Sequence, residues 1–567
     1  MENSGDFRPS PSSQPKCLRT TDCLARRSRL VLLLLIAIGS LRIVSTYSVF
    51  SSTVDEPSHI ARGIEWLDRG TYTFNMQHPP LSGVLVVILP YLAGARSAGK
   101  SNPFAEGSAI LGYGRHYDRT LTLARPGTLP SYWLAMWIVY AWAFRLSGPL
   151  AAISSSLLFG ALPAILAHSG LATTDMVLTA SLGLAVLTTF WWLDKLSAYR
   201  SVVFGITIAF ALLAKFSTVV FFPVGIMSML TWYVIAHPDR VSELIRTTAR
   251  LVRPSLIATV TAFFCIWMAY RFSLGLVHHL GVPLPAPEFF YEMNALQKHN
   301  SSGHPSYLLG RCDIHGFWYF YPVSLALKTP LGYLVLVGAA LVLFLSRWRD
   351  AELALPLCFS GGILLFSMGF SNINIGIRHI LPVYLGFSVA GGVVVAKLSE
   401  TSQRSRLAVW IVAAALLWFL VSGSASHPDY LAYTNEIAPR EPERYLVDSD
   451  LDWGQDVRRL VRRPDQLGVQ EITFSPYSST SIMAGRLSPI AHPTNYSKPA
   501  PGWNAISVSF WKIHPCAANR PIDGVPIKIA DKPWPNQMKP LERVGRTILL
   551  YYFPVKASQE MSQRCQK

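Results

Sequence analysis

Residues 29–59 read RLVLLLLIAIGSLRIVSTYSVFSSTVDEPSH. An unbroken apolar run from Val31 to Ile38 follows a cluster of arginines, and an acidic pair comes soon after the run. About 20 mostly apolar residues suffice to cross a hydrocarbon core about 30 Å thick. Because no small-residue cleavage site follows the run, the segment predicts an uncleaved first transmembrane helix rather than a removed signal peptide.

The composition of the whole chain agrees with a membrane protein. Of its 567 residues, 51% are hydrophobic and 15% are charged, and the mean hydropathy is +0.31. Soluble domains carry about 25% charged residues, so the excess apolar residues are expected to face lipid. The net charge of +17 does not indicate nucleic acid here, because in a membrane protein the distribution of Lys and Arg among the loops reports orientation. The bilayer is therefore the first predicted partner.

Similar apolar runs recur along the chain and predict about eleven membrane-spanning helices. They lie near residues 29–50, 130–146, 149–168, 174–193, 200–214, 217–236, 254–272, 322–345, 353–370, 379–397 and 406–424. If the tail 1–28 is cytoplasmic, every short inside loop is basic, as the positive-inside rule requires. We expect a polytopic α-helical protein of the bacterial inner (plasma) membrane, with a membrane domain over 29–424.

An odd number of spans places four segments on the extracytoplasmic side. These are a first loop at 51–129, a turn at 169–175, a second large loop at 273–321 and a C-terminal domain at 425–567. The first loop opens with Asp55 and Glu56, followed by apolar residues at helical spacing that predict a short interfacial helix. The acidic pair can be a simple helix cap at Pro57. Asp175 begins the fourth span, where Thr173 and Thr174 can already supply the cap.

Taken together, these motifs resemble the GT-C glycosyltransferases, in particular the bacterial branch of the protein O-mannosyltransferase and aminoarabinose-transferase superfamily. The resemblance covers most of residues 29–400. It is carried by Asp55-Glu56 after the first span, His78-Pro79-Pro80-Leu81, Arg125, Thr174-Asp175, Lys215, the segment from Gly316 to Pro330, and Gly376-Ile377-Arg378-His379.

The resemblance implies a glycosyltransferase that moves a sugar from a polyprenyl-phosphate carrier to an acceptor on the outer face of the membrane. It assigns Asp55 as the catalytic carboxylate. With a preactivated donor, one general base suffices for an inverting reaction, unlike glycoside hydrolysis, which needs two carboxylates. Asp175 would position the acceptor, the sugar or a metal, and Glu56 can share any of these roles.

The phosphate of the donor requires cations near the outer face. The candidates are Arg125, Lys215, Arg311 and Arg378, with His78 and His379 as hydrogen-bond donors. Each also has a plain structural explanation, such as snorkelling to the interface. Lys215 and Arg378 are favoured, because they lie at outside span ends where the topology rule does not call for positive charge.

The loop 273–321 supplies imidazole and carboxylate side chains, so a divalent metal ion is conceivable. The residues are His278, His279, His299, His304, His315, Glu288, Glu292 and Asp313. No compact ligand spacing supports such a site, so the sequence calls for no particular cofactor and leaves a divalent metal ion open. The aromatic clusters of the loop suit the membrane interface or a cover over the sugar.

The C-terminal domain is predicted to be α/β. Residues 469–474, 505–510 and 547–553 read as strands, and 456–462 reads as a helix. The stretch from Asp448 to Asp456 begins like a calcium loop but fails at the required glycine and glutamate. The seven cysteines show no metal-type spacing; a bridge between Cys312 and Cys516 on the outer face is conceivable.

Two other classes of function remain open. A transporter or lipid flippase would also be polytopic, but it should show repeated half-chains and charges deep within spans. A non-catalytic scaffold for envelope assembly would keep the fold without the chemistry. The sequence does not identify the sugar, nor whether a protein, lipid or glycan accepts it.

Overall fold

The computed structural model describes residues 16–74, 77–112, 116–400, 406–438, 441–469, 472–477, 490–491, 499–518, 534–558 and 560. The chain is mostly helical up to residue 425. The helices are α1 Lys16–Val44, α2 Glu56–Ile64, α3 Pro80–Leu92, α4 Pro103–Leu111, α5 Tyr117–Ala124, α6 Leu129–Gly160, α7 Pro163–Ser169, α8 Asp175–Asp194, α9 Ala198–Ala214, α10 Thr218–Ala236, α11 Val241–Ala269, α12 Pro287–Ser302, α13 Phe320–Lys328, α14 Leu331–Ser346, α15 Ala351–Phe370, α16 Val383–Glu400, α17 Arg406–Ala425, α18 Val457–Val461, α19 Arg463–Leu467 and α20 Val508–Ala518.

Helix α16 lies at the centre of the bundle. Nearly all of its residues from Val383 to Ala396 are buried, and it packs against α6, α14 and α15. Glycines allow the close approach: a Cβ on Gly392 would collide with Ser155 of α6, and one on Gly386 would collide with α15. A helix that is apolar all round is typical of the interior of a membrane bundle.

In the described part of the chain, six helices are long and apolar enough to cross a membrane. They lie within Tyr117–Gly160, Asp175–Asp194, Thr218–Ala236, Arg250–Ala269, Ala351–Phe370 and Arg406–Ala425. Large apolar side chains point outward from them, such as Trp410 and Leu417 of α17. Outward apolar side chains on a polytopic bundle face lipid, so the protein is an integral membrane protein.

One predicted span boundary coincides with a break in a helix, and one predicted span is interrupted by a break. The predicted gap between 146 and 149 matches a kink in α6, where Ser147 and Gly148 leave helical geometry. The predicted span 322–345 is divided into α13 and α14 at Thr329 and Pro330. The count of about eleven spans stays a prediction.

The short helix after the first span is not at the surface. All nine residues of α2 are buried, because α3 and α4 pack over it. The predicted interfacial position was therefore wrong. The helix continues as a π-helical turn, Glu65–Arg69, and its start fixes the position of Asp55.

Two hairpins lie in the loop 273–321: β1 Leu274–Val277 with β2 Val282–Pro285, and β3 Ser306–Leu308 with β4 Arg311–Asp313. The strands of the C-terminal segment are β5 Ile472–Ser475, β6 Ile490–Ala491, β7 Gly502–Ser507, β8 Glu542–Val544 and β9 Ile548–Phe553. They form a five-stranded mixed sheet with the order β6-β5-β7-β9-β8. Strand β5 runs parallel to β6 and β7, and β9 runs antiparallel to β7 and β8. The predicted strand 505–510 was displaced by three residues, because the strand is Gly502–Ser507 and α20 begins at Val508.

Candidate active site

Four charged side chains from four separate segments meet at one end of the bundle. Asp55 follows α1, Asp175 begins α8, Lys215 follows α9, and Arg378 precedes α16. Arg378 Nη1 lies 3.1 Å from Asp55 Oδ2 and 3.7 Å from Asp175 Oδ2. Lys215 Nζ lies 2.6 Å from Asp175 Oδ1. Alternating charges therefore join Asp55, Arg378, Asp175 and Lys215 in one network.

Asp55 is the most accessible carboxylate of the network. It occupies the N-cap position of α2, but its side chain accepts no capping hydrogen bond. Its side chain is 27% exposed, whereas that of Asp175 is fully buried. Among the described residues, no group donates a hydrogen bond to Asp55 Oδ1. The carboxylate is thus oriented by Arg378 and remains able to accept a proton from an incoming group.

Glu56, the next residue, is fully occupied by other contacts. Arg125 Nε and Nη2 donate to its two oxygens at 3.0 and 3.1 Å. The other N–H groups of Arg125 donate to the carbonyls of Tyr47, Phe50 and Ser51, so all five have acceptors. Both side chains are buried. The pair therefore holds the segment before Asp55, and Arg125 has no free N–H for a phosphate.

Glu56 also connects the first loop to the segment that carries Asp175. Its carboxylate accepts hydrogen bonds from the backbone N–H of Thr53, at 2.8 Å, and of Ala172, at 2.9 Å. Fully satisfied buried charges fix one arrangement of the groups around them. Glu56 thereby fixes the two segments that present Asp55 and Asp175.

Imidazole side chains surround the charged network. The rings of His59 and His78 meet edge to face at 5.4 Å. Burial, together with the nearby positive charge of Arg62, lowers the pKa of both histidines well below its usual value, so both are neutral near pH 7. Three buried polar atoms have no hydrogen-bond partner among the residues that the structure describes: His78 Nδ1, His379 Nε2 and Asp175 Oδ2. These atoms can bind a polar ligand.

Sequence reasoning did not select Arg62 as a site residue. It lies on α2 and is buried, and its guanidinium contacts His59 Nδ1. In the described part of the chain it forms no salt bridge with a carboxylate. Burial lowers the pKa of Arg62 to about 10, with Asp55 and Glu292 acting in the opposite direction, so the side chain is charged at neutral pH.

A second missed element is the segment from Asp448 to Asp456, which sequence analysis left without a role. Arg378 Nε donates to Ser449 Oγ at 3.0 Å, and the guanidinium lies 4.1 Å from the ring centroid of Trp453. Asp448 is buried nearby and accepts a hydrogen bond from Tyr477 at 2.6 Å. Burial raises the pKa of Asp448 to about 6, although the hydrogen bond from Tyr477 and the charge of Arg378 oppose the increase.

Two further predictions concern residues outside this network: Arg311 as a phosphate ligand, and a metal site in the loop 273–321. Arg311 is exposed on strand β4 and is in none of the ion pairs of the site. Two side chains of the loop 273–321 bond to other segments: Glu292 accepts a hydrogen bond from Tyr270, which follows α11, at 2.7 Å, and His299 hydrogen-bonds to Gln77. Over the described ranges, no group of three His, Cys, Asp or Glu side chains is placed to hold a metal ion.

Comparison with known proteins gave structural neighbours only. No family model matches the chain, and no curated protein does. The aminoarabinose transferase ArnT from Cupriavidus metallidurans, solved bound to undecaprenyl phosphate, is 13% identical and aligns over 91% of this chain and 97% of its own, with a TM-score of 0.48. The oligosaccharyltransferase AglB from the archaeon Archaeoglobus fulgidus, solved with an inhibitory peptide and a dolichol-phosphate, is 15% identical over 85% of this chain and 70% of its own, with a TM-score of 0.42.

Both neighbours are GT-C glycosyltransferases, the class that the sequence motifs resemble. Their TM-scores are below 0.5, so neither neighbour assigns a role to any residue of this chain.

Proposed function

We propose that the protein transfers a sugar from a polyprenyl-phosphate carrier to an acceptor on the outer face of the membrane, with inversion at the anomeric carbon. The observation that carries the proposal is the network of Asp55, Arg378, Asp175 and Lys215 at one end of an apolar bundle. A lipid-linked donor brings a phosphate to such a position while its chain stays in the bilayer.

Asp55 is the proposed general base. It would take the proton from the acceptor as the acceptor attacks the sugar, and the carrier phosphate would leave with the electrons of the broken bond. Arg378 orients this carboxylate from 3.1 Å. Asp175 is fully buried and paired with Lys215, so its role is to position Lys215 and Arg378 rather than to accept a proton.

Arg62, Lys215 and Arg378 form the proposed phosphate site, and His78 and His379 add neutral hydrogen-bonding groups. Arg62 is the strongest candidate of the three cations, because no described carboxylate forms a salt bridge with it. Arginine binds phosphate with two parallel N–H groups, and such charge-assisted hydrogen bonds are stronger than neutral ones.

Replacing Arg62 with glutamine is expected to raise the KM for the lipid-linked donor by about 10- to 100-fold, the value of a charge-assisted hydrogen bond. The catalytic constant should change less, because Asp55 and Arg378 remain. Initial rates over a donor titration measure both constants. Arg69→Gln, an exposed change close to α2, is the matched control. An unchanged KM in Arg62→Gln would remove Arg62 from the phosphate site.

The orientation we propose has a cytoplasmic tail at 1–28, a catalytic membrane domain at 29–424 and an extracytoplasmic domain at 425–567, in a bacterial inner membrane. Cys312, in the loop 273–321, is disulfide-bonded. Disulfides persist in oxidising compartments, which supports an extracytoplasmic loop. Helix α20, which carries Cys516, packs against β3 and β4.

We therefore expect Cys312 to pair with Cys516. In intact cells, a membrane-impermeant maleimide should label Cys312 in a Cys516→Ser variant but not in the wild type. The partly buried thiols of Cys265 and Cys358, which are free, serve as internal standards after denaturation. Labelling of Cys312 in the unreduced wild type, or labelling of the variant only after cells are permeabilised, would contradict this topology.

The proposed activity is tested with purified protein in nanodiscs, a panel of radiolabelled polyprenyl-phosphate sugars and an envelope extract as acceptor. Undecaprenyl-phosphate donors are the first choice for a bacterial membrane. Transfer releases the carrier phosphate and moves the label to an acceptor, whose identity as protein, lipid or glycan is then determined. A flippase in liposomes would instead move the intact donor between leaflets, and a scaffold would consume none.

A further inference from the structure

The segment 448–456 contacts two other segments of the site: the chain just before Asp55, the proposed base, and the chain that carries Arg378, which orients Asp55. On one side it pairs with the chain just before Asp55. The N–H of Ser51 donates to the carbonyl of Gln455, and the N–H of Val54 donates to that of Trp453, both at 3.0 Å. These backbone bonds limit where the next residue, Asp55, can lie.

On the other side the segment contacts the chain that carries Arg378. The N–H of Ile377 donates to Asp450 Oδ1 at 2.8 Å. The Ser449 hydroxyl donates to the carbonyl of Ile375 and accepts from Arg378 Nε. Because the ring of Trp453 lies over the same guanidinium, Arg378 is held at its edge and at its face by one segment.

The segment is itself fixed by buried polar contacts. Asp450 accepts a hydrogen bond from Ser324 at 2.6 Å, and its carbonyl accepts one from Lys328. Asp452 accepts hydrogen bonds from Ser507, the last residue of the central strand β7, and from the N–H of Ser509 in α20. These contacts connect the C-terminal sheet to the site.

We propose that Ser449 and Trp453 are positioning residues for Arg378, so that the C-terminal domain completes the catalytic site. This inference rests on the function proposed above. Cation–π attraction depends on an aromatic face and not merely on filled volume. The nature of the side chain at position 453 should therefore matter beyond its size.

The conformation of Gly376 provides an independent test of the same contact. Its φ of 152° is one that other residues rarely adopt. A Cβ at this position would collide with Ser449 Oγ. Gly376→Ala should therefore separate Ser449 from Arg378 without changing either side chain.

The experiment compares four variants with a control: Trp453→Phe, Trp453→Leu, Ser449→Ala and Gly376→Ala. The control is Trp503→Leu, on β7, where the ring of Trp503 packs on Tyr552. Two readouts are used: transfer rate, and affinity for undecaprenyl monophosphate in nanodiscs, which requires no turnover. We expect Trp453→Leu to lower kcat/KM and this affinity by roughly 10-fold or more, and Trp453→Phe to retain most of both. Ser449→Ala and Gly376→Ala should show losses in the same direction, and Trp503→Leu none.

The positioning role would be overturned if Trp453→Leu and Trp453→Phe had the same kcat/KM and the same affinity for undecaprenyl monophosphate. It would also be overturned if both values were those of the wild type in Ser449→Ala and Gly376→Ala. If the wild type transfers sugar while these variants are normal, only this inference fails. If the wild type transfers no sugar, the proposed function fails. The affinities of the wild type and the variants for undecaprenyl monophosphate then decide whether Ser449 and Trp453 position Arg378. A wild type that neither transfers nor binds overturns both.

Discussion

Asp55→Asn is expected to lower the rate of sugar transfer by roughly 10²- to 10⁴-fold, the usual contribution of a general base. Asparagine is close in size to aspartate and can still accept a hydrogen bond from Arg378, but it cannot take a proton from the acceptor. The KM for the donor should change little, because Arg62 and Lys215 are unchanged. Initial rates at saturating donor measure the effect.

The control for this substitution is Asp118→Asn. Asp118 is a largely exposed carboxylate paired with Arg458. Arg458 also donates a hydrogen bond to the carbonyl of Ser48, so the neutral amide at position 118 should cost little stability. The melting temperatures of both variants should stay close to that of the wild type. Wild-type rates in Asp55→Asn, with the protein folded, would exclude Asp55 as the base.

Glu56→Gln is expected to act on the fold instead of the chemistry. It leaves the guanidinium of Arg125 buried without its carboxylate, and breaking a buried pair in this way costs about 3–5 kcal/mol. The free energy of unfolding should fall by that amount. Thermal unfolding in nanodiscs or detergent, followed by the loss of monodisperse protein, is the measurement.

A double variant separates the buried charge from the lost contact. In Glu56→Gln/Arg125→Met the uncompensated charge is absent, so part of the lost stability should return. Its activity should be lower than that of Glu56→Gln, because Arg125 also holds the carbonyls of the segment that precedes Asp55. A stable Glu56→Gln protein with strongly reduced turnover would instead give Glu56 a direct part in the reaction.

The sequence alone identifies the four charged residues of the site. The apolar runs and the distribution of Lys and Arg place Asp55, Asp175, Lys215 and Arg378 at helix ends on one face. The structure brings these four together. Charged residues at the ends of membrane spans predict a polar site, because a charge there is costly unless it is paired or exposed to water.

The remaining site residues depend on contacts that sequence spacing does not encode. Arg125 matches the family motif, yet its acceptors are backbone carbonyls and Glu56, which only the folded chain reveals. Arg62 resembles a surface residue of an amphipathic helix, but α3 and α4 cover that helix. Trp453 reaches Arg378 from a segment 75 residues later in the chain, and no periodic pattern links the two positions.

The decisive experiment measures consumption of radiolabelled polyprenyl-phosphate sugars by the purified wild type and by Asp55→Asn, side by side in nanodiscs with an envelope acceptor. We expect the wild type to release the carrier phosphate and transfer the label, and folded Asp55→Asn to do neither at a comparable rate. Donor left intact by the wild type, or consumed equally by both proteins, would contradict the proposed transferase function.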